Sequence, residues 1–168
     1  MSGEPESKTQ AIDERHARIL RLLDEYSIKL GLGRLQATNE VEKYLNLSQA
    51  DIRRLTPEEC GEAAYLLNRA ALYVQNEINK AQADINWCQT YIDFLIAKSI
   101  ESVGGQYMPH DCKKTLAIRQ NDVAMKLQEI ITSAKLRLDA MSFIPNHLRA
   151  LAGTFEKIQY DRRTKKGD

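Results

Sequence analysis

The chain reads as an all-α protein: an elongated antiparallel helical hairpin, with additional helices before it and a short helix after it. Three observations predict this. An apolar seven-residue repeat runs from Cys60 to Leu95 with no proline inside it. A second repeat, Ala117, Ala124, Leu127, Ile131, Ala134, Leu138 and Met141, follows. Between them lies a short segment, Ser102 to Pro109, whose Gly104-Gly105 permits a turn and whose Pro109 stops a helix running through. Long helices joined by so short a turn pack antiparallel.

Taken in order, residues 1–11 are polar, lack the apolar stretch of a secretory signal, and read as a disordered arm. A first helix is predicted from Ile12 to Leu30. Ile12, Ile19, Leu20, Leu23, Tyr26 and Leu30 fit one stripe, Asp13 and Glu14 suit its first turn, and Lys29 suits its last. Gly31-Leu32-Gly33 ends it. Gln36 to Arg54 reads as two short helices, one capped by Asn39 and covering Glu40 to Leu45, the other opened by Ser48 with Asp51 in a capping-box arrangement. A DNA-reading helix-turn-helix needs several polar and basic side chains on one face. Arg53 and Arg54 alone do not supply them, so residues 12–55 are read as an N-terminal helical region ending in a structural elbow.

Thr56-Pro57-Glu58-Glu59 then starts the organising helix, with a capping hydroxyl, a proline suited to the first turn and two acids at the positive end of the dipole. It is predicted to run to about Ser102. About 46 residues would span about 70 Å, whereas a compact domain of this size is about 40 Å across. The seam residues Leu67, Val74, Ile78, Ile85, Ile92 and Leu95 must therefore be covered by the return arm or by sister copies, and a homo-oligomer is expected. A second stripe, Leu66, Ala70 and Tyr73, then Trp87, Tyr91 and Phe94, implies more than one neighbour at each level. Its aromatics can stack nucleobases, but their spacing beside a heptad seam reads as core.

The return helix is predicted from Asp111 to Ser142, with Gln120 or Asn121 the one polar position in its repeat. Lys113, Lys114, Arg119 and Lys126 decorate its first half, and Lys98 falls in the same neighbourhood. Pro145 breaks it. Leu148, Leu151, Ala152, Phe155 and Ile158 mark the short last helix, which completes a hairpin region of residues 56–160. Residues 161–168 form a basic tail with Arg162, Arg163, Lys165 and Lys166.

Charge is uneven. Residues 1–110 hold 12 Lys/Arg against 16 Asp/Glu, a net −4, while residues 111–168 hold 12 against 7, a net +5. A basic C-terminal third suggests an anionic partner or an acidic neighbouring subunit. No apolar run is long enough to cross a bilayer. Cys60, Cys88 and Cys112 are odd in number, two of them on the seam, which suits a reduced, cytoplasmic setting. His110-Asp111-Cys112 lacks a nearby fourth ligand, so no metal is expected. There is no GxSxG, HExxH, P-loop or kinase signature, and no cofactor motif. The chain reads as a non-enzyme.

From Ala63 to Arg163 the layout resembles the phage recombination mediator family UvsY: a long helix, a Gly-containing turn with Tyr107 nearby, a second long helix with a basic beginning, and a short last helix. Thr115-Leu116-Ala117-Ile118-Arg119-Gln120-Asn121-Asp122 and its apolar continuation look most like the family's second half. Where the family carries a Lys/Arg-rich run before the turn, this chain has Ala97-Lys98 and Gly104-Gly105-Gln106-Tyr107. The resemblance implies an oligomer that binds single-stranded DNA and helps a recombinase displace single-strand-binding protein, in the host cytoplasm. The DNA contacts it implies are Lys98, Lys113, Lys114, Arg119 and Lys126, with Arg162, Arg163, Lys165 and Lys166 as a second cluster. A scaffolding protein that only self-associates is the alternative, and an adaptor working through its N-terminal helix a third.

Overall fold

The computed structural model describes residues 4–29, 40–105 and 107–164; within 4–29 it describes the side chains from Asp13 onward except those of residues 26 and 27. Among these residues there are seven helices and no strand: α1 (Glu4–Lys29), α2 (Glu40–Leu45), α3 (Gln49–Arg54), α4 (Pro57–Ile96), α5 (His110–Arg119), α6 (Asp122–Met141) and α7 (Ile144–Thr164). The chain divides into two compact units. One takes Met1–Asp24 and Asn79–Asp139, the other Glu25–Ile78 and Ala140–Asp168. The predicted Gly31-Leu32-Gly33 stop, the Asn39 cap, the Ile12 and Tyr26 side chains, and Lys165 and Lys166 lie outside the described residues.

In the first unit, the second half of α4 packs against α5 and α6. Ala81, Ile85, Cys88, Ile92 and Ile96 of α4 meet Ala117, Ala124, Leu127, Ile131 and Ala134, all buried. Lys114 reaches Asp93 and Arg137 reaches Asp84, so the two arms run antiparallel. In the second unit, the first half of α4 packs against α2, α3 and α7. Cys60, Ala63, Ala64, Leu67 and Ala71 share a core with Val41, Tyr44, Leu148, Ala152 and Phe155. The Tyr44 and Phe155 rings meet edge to face at 6.2 Å. Burial, and then the Glu62 carboxylate, push the Tyr44 phenol up. A Cβ at Gly61 would lie 2.6 Å from Nε2 of Gln159, the movable end of a long α7 side chain.

The seam of α4 is thus covered by the chain's own helices. Leu67, Ile85 and Ile92 are buried, while Val74, Ile78 and Leu95 are half-buried. Val74 packs on the second unit's core and Leu95 on the first unit's. The seam therefore supplies no reason for a homo-oligomer.

Four boundaries differ from the sequence expectation. Helix α1 begins at Glu4, so most of the arm expected to be disordered is helical. Pro5 pre-sets the first turn, and residues 6–11 contain no helix breaker. Helix α4 stops at Ile96, short of Ser102. Ser99 and Ser102 turn their hydroxyls onto the carbonyls of Ile96 and Ser99, at 3.1 and 2.9 Å, and the backbone leaves the helix through turns to Gly104 at φ 83°. The return helix breaks at Gln120-Asn121. Oδ1 of Asn121 accepts from the amides of Val123 and Ala124, both at 3.1 Å, which makes Asn121 the N-cap of a separate α6. The last helix is 21 residues long and absorbs Arg162 and Arg163, which the sequence reading placed in a tail. Pro145 sits in its first turn rather than before it.

Both expected caps form reciprocally. The amide of Glu59 donates to Thr56 Oγ1 at 3.2 Å, and the Thr56 amide donates to Glu59 Oε2 at 2.7 Å. Ser48 and Asp51 exchange the same pair of bonds, each at 3.2 Å. The Thr56 amide, and then its hydroxyl, hold the Glu59 carboxyl below the usual carboxylate range.

Two outcomes follow from this packing. Leu67→Ala should destabilise the protein by about 3 kcal/mol and Asn121→Ala by about 1 kcal/mol, read from denaturant midpoints. Because the Glu59 carboxyl is depressed in the folded state, its contribution is present above the carboxylate range and lost as pH falls through it. Denaturation curves of the native protein and Glu59→Gln should accordingly be separated near neutrality and converge in acid.

Candidate docking and nucleic-acid surfaces

The five cations assigned to the hairpin end all fall in the first unit, but they do not make one face. Lys98 is exposed in the turn after α4, and Lys113 is half-buried in the first turn of α5. Lys114 is spent on Asp93, at 2.6 Å. Six residues of helix turn Arg119 about 120° away from Lys113, and the break at Asn121 separates Lys126 from both. Lys98, Lys113, Arg119 and Lys126 make no ion pair among the described residues. Asp93, Glu101, Asp111 and Asp122 lie in the same stretch of chain, four carboxylates against five cations.

The second cluster is rearranged more deeply. The Arg162 guanidinium donates to the Leu55 carbonyl, to Ile52 at 3.0 Å and to Arg53 at 3.1 Å. These carbonyls lie where α3 ends, that of Ile52 also accepting from the Leu55 amide at 3.4 Å, and a cation there suits the helix dipole. Arg162 is a structural cap and not a free phosphate contact. Its reach joins the last turn of α3 to the last turn of α7, so exposed Arg53 and Arg54 come to the same end of the second unit as exposed Arg163.

A different surface runs along the outer face of α5 and α6. A cavity of about 480 Å³ is lined by Thr115, Ile118, Arg119, Met125, Gln128 and Glu129. A neighbouring one of about 350 Å³ shares Gln128 and Glu129 and continues to Thr132, Ser133 and Leu136. Together they make one trough. Met125 and Leu136 stand in it, 41% and 66% exposed. The sequence signal was a second apolar register on α6, Met125 and Leu136, outside the repeat that forms the core.

The third feature is a polar node. Asp84 is 7% exposed and is the one buried charged side chain among the described residues. Its Oδ1 lies 3.0 Å from His16 Nε2, and its Oδ2 accepts from Arg137 at 3.3 Å. His16 also lies flat on Trp87, with centroids 5.0 Å apart. Trp87 stacks on Tyr91 and Tyr91 on Phe94, at 5.6 and 6.0 Å. Trp87 and Tyr91 are half-buried and pack on the first unit's core, but Phe94 is 73% exposed. The core reading thus fits the first two rings and not the third. Asp84 lies one turn before Trp87 on the same stripe, and a carboxylate at such a position was the legible sign that something polar packs there.

Compared with known proteins, the chain matches no protein-family model, no curated protein and no solved structure. The likeness to UvsY mediators therefore stays a proposal. No described helix is long and apolar enough to cross a membrane.

Replacing Arg162 by Met should cost about 2 kcal/mol of stability, because it leaves α3 carbonyls unpaired. Arg163→Ala should be close to neutral in the same thermal or denaturant measurement.

Proposed function

We propose that this chain is a helical assembly protein that docks further copies of itself through the outer face of α5 and α6. The observation that carries this is the α5–α6 trough. Helix-in-groove recognition uses a few apolar anchors at helical spacing with polar groups beside them, and Met125 and Leu136, flanked by Arg119 and Glu129, have that form. The α4 seam is not offered, since the chain covers it itself.

A second reading is the single-stranded-DNA-binding mediator, working with a recombinase and a single-strand-binding protein. What favours it is the convergence of Arg53, Arg54 and Arg163 where α3 and α7 end, with Lys165 and Lys166 next in sequence. The mixed charge around Lys98, Lys113, Lys114, Arg119 and Lys126 argues that phosphate contacts, if made, centre on the arginines.

Sedimentation of the full chain over a range of concentrations tests the first reading. The native protein should exceed the 19.2 kDa of one chain. Met125→Glu with Leu136→Glu should weaken association at least about tenfold with helix content unchanged. A native protein that stays at one-chain mass throughout removes the assembly reading. Titration of labelled single-stranded DNA at about 50 and 200 mM salt tests the second. Binding that falls steeply with salt and with Arg53, Arg54 and Arg163 all changed to Ala would establish it, and no binding at the lower salt would end it.

A further inference from the structure

Helix α1 is attached to the first unit in an unusual way for an amphipathic helix. None of its described side chains is buried, and none belongs to either core. Ile19, Leu20 and Leu23 are half-buried, and Leu22 is exposed. Its specific contacts are polar or stacked. They are His16 on Asp84, Arg15 Nη1 donating to Tyr91 Oη at 3.3 Å, Asp24 on Lys80 at 2.8 Å, and the imidazole on the Trp87 ring.

We propose that α1 is a proton-controlled clasp: imidazolium His16 holds it to α4 through Asp84 and Trp87, and loss of that proton releases it and bares the Trp87 ring.

The charged and titratable groups around the clasp leave this role to His16. From α1 come Arg15 and Asp24, from α4 Lys80, Asp84, Cys88 and Tyr91, and from α6 Arg137. Arginines keep their charge at any physiological pH, and lysine and tyrosine side chains titrate far above neutrality. Burial first, and the Asp84 carboxylate second, push the Cys88 thiol up to about 11, so it stays protonated. Arg137 gives Asp84 a cation that never titrates, which means the carboxylate keeps a counter-charge when α1 leaves. Histidine is the residue type in this set that changes charge between about pH 5 and 8.

In its protonated form His16 adds an ion pair to a hydrogen bond at a carboxylate removed from solvent, where such a pair is screened less than on an open surface. The same proton places a cation over the indole face, a second attraction that neutral imidazole lacks. Both gains point the same way. Docking is therefore stronger with the imidazole protonated than with it neutral.

Trp87 is the chain's single tryptophan, so its fluorescence reports this contact directly. The experiment is acrylamide quenching of Trp87 in the full chain from about pH 5 to 8, with far-ultraviolet circular dichroism recorded on the same samples. The variants are His16→Gln, Asp84→Asn and His147→Gln. In the native protein, quenching should rise with pH along a single-proton curve while helix content holds. His16→Gln should quench at the released level at every pH, and so should Asp84→Asn. His147→Gln, which changes an exposed histidine of α7 outside these contacts, should keep the curve. A native protein whose quenching is flat, a His16→Gln protein that retains the curve, or a loss of helix content over the same range would each overturn the proposal. Because His16→Gln removes no buried side chain, it decides the question even if Asp84→Asn fails to fold.

Discussion

The structure depends on one constraint: a single forty-residue helix presents an apolar edge that must be hidden along most of its length. The chain solves this twice, with different partners. Along this edge Cys60, Ala63, Ala64, Leu67 and Ala71 are buried against α2 and α7, and Ala81, Ile85, Cys88, Ile92 and Ile96 against α5 and α6. Each fully buried Leu or Ile on this edge contributes about 1.5–3 kcal/mol relative to exposure, so neither half of α4 can do without its covering arm. Between Ala71 and Ala81 no α4 residue is buried. There Val74 packs half-buried on the second unit's core, and Gln75, Glu77, Asn79 and Lys80 all have partners.

How much of this was legible follows from what a periodic pattern encodes. A heptad repeat states that an edge is apolar, and it stated that correctly for Leu67, Ile85 and Ile92. It does not state what covers the edge: a return arm and sister copies both satisfy the pattern, and here the chain's own helices cover it. Caps were legible because they are local. Thr56 with Glu59 and Ser48 with Asp51 need no tertiary information to form. The break at Asn121 is visible in sequence only as a polar position in the repeat, which one continuous helix also accommodates. An Asn side chain can equally start a new helix by accepting from the amides ahead of it, and here it does.

The candidate sites were harder to read, because charge in sequence says nothing of commitment in space. Arg162 and Arg163 look identical as part of a basic run. One turns inward to cap α3 across more than a hundred residues of chain, and the other stays exposed. Lys113 and Lys114 divide the same way, with Lys114 taken up by Asp93. Conversely, Arg53 and Arg54 are a thin cluster in sequence, and the Arg162 cap brings exposed Arg163 to the same end of the second unit. A basic stretch is evidence for an anionic ligand only after its internal partners have been removed from the count.

The two ways in which helices are held here also predict where the molecule is able to move. Helix α7 docks on α4 through Leu148, Ala152 and Phe155, all buried, and releasing it would expose a core. Helix α1 docks through polar contacts, a stacked ring and half-buried aliphatics, and none of its described side chains is buried. Segments with few buried apolar contacts open at lower free energy than the cores they lie on. A single proton, which changes one interaction by an amount far below the stability of a packed core, has leverage on the first kind of contact and not on the second. The burial of Asp84 fits this division: it is charged, inside, and shared by α1, α4 and α6, and the fixed arginine on its far side lets the histidine side come and go without leaving the carboxylate alone.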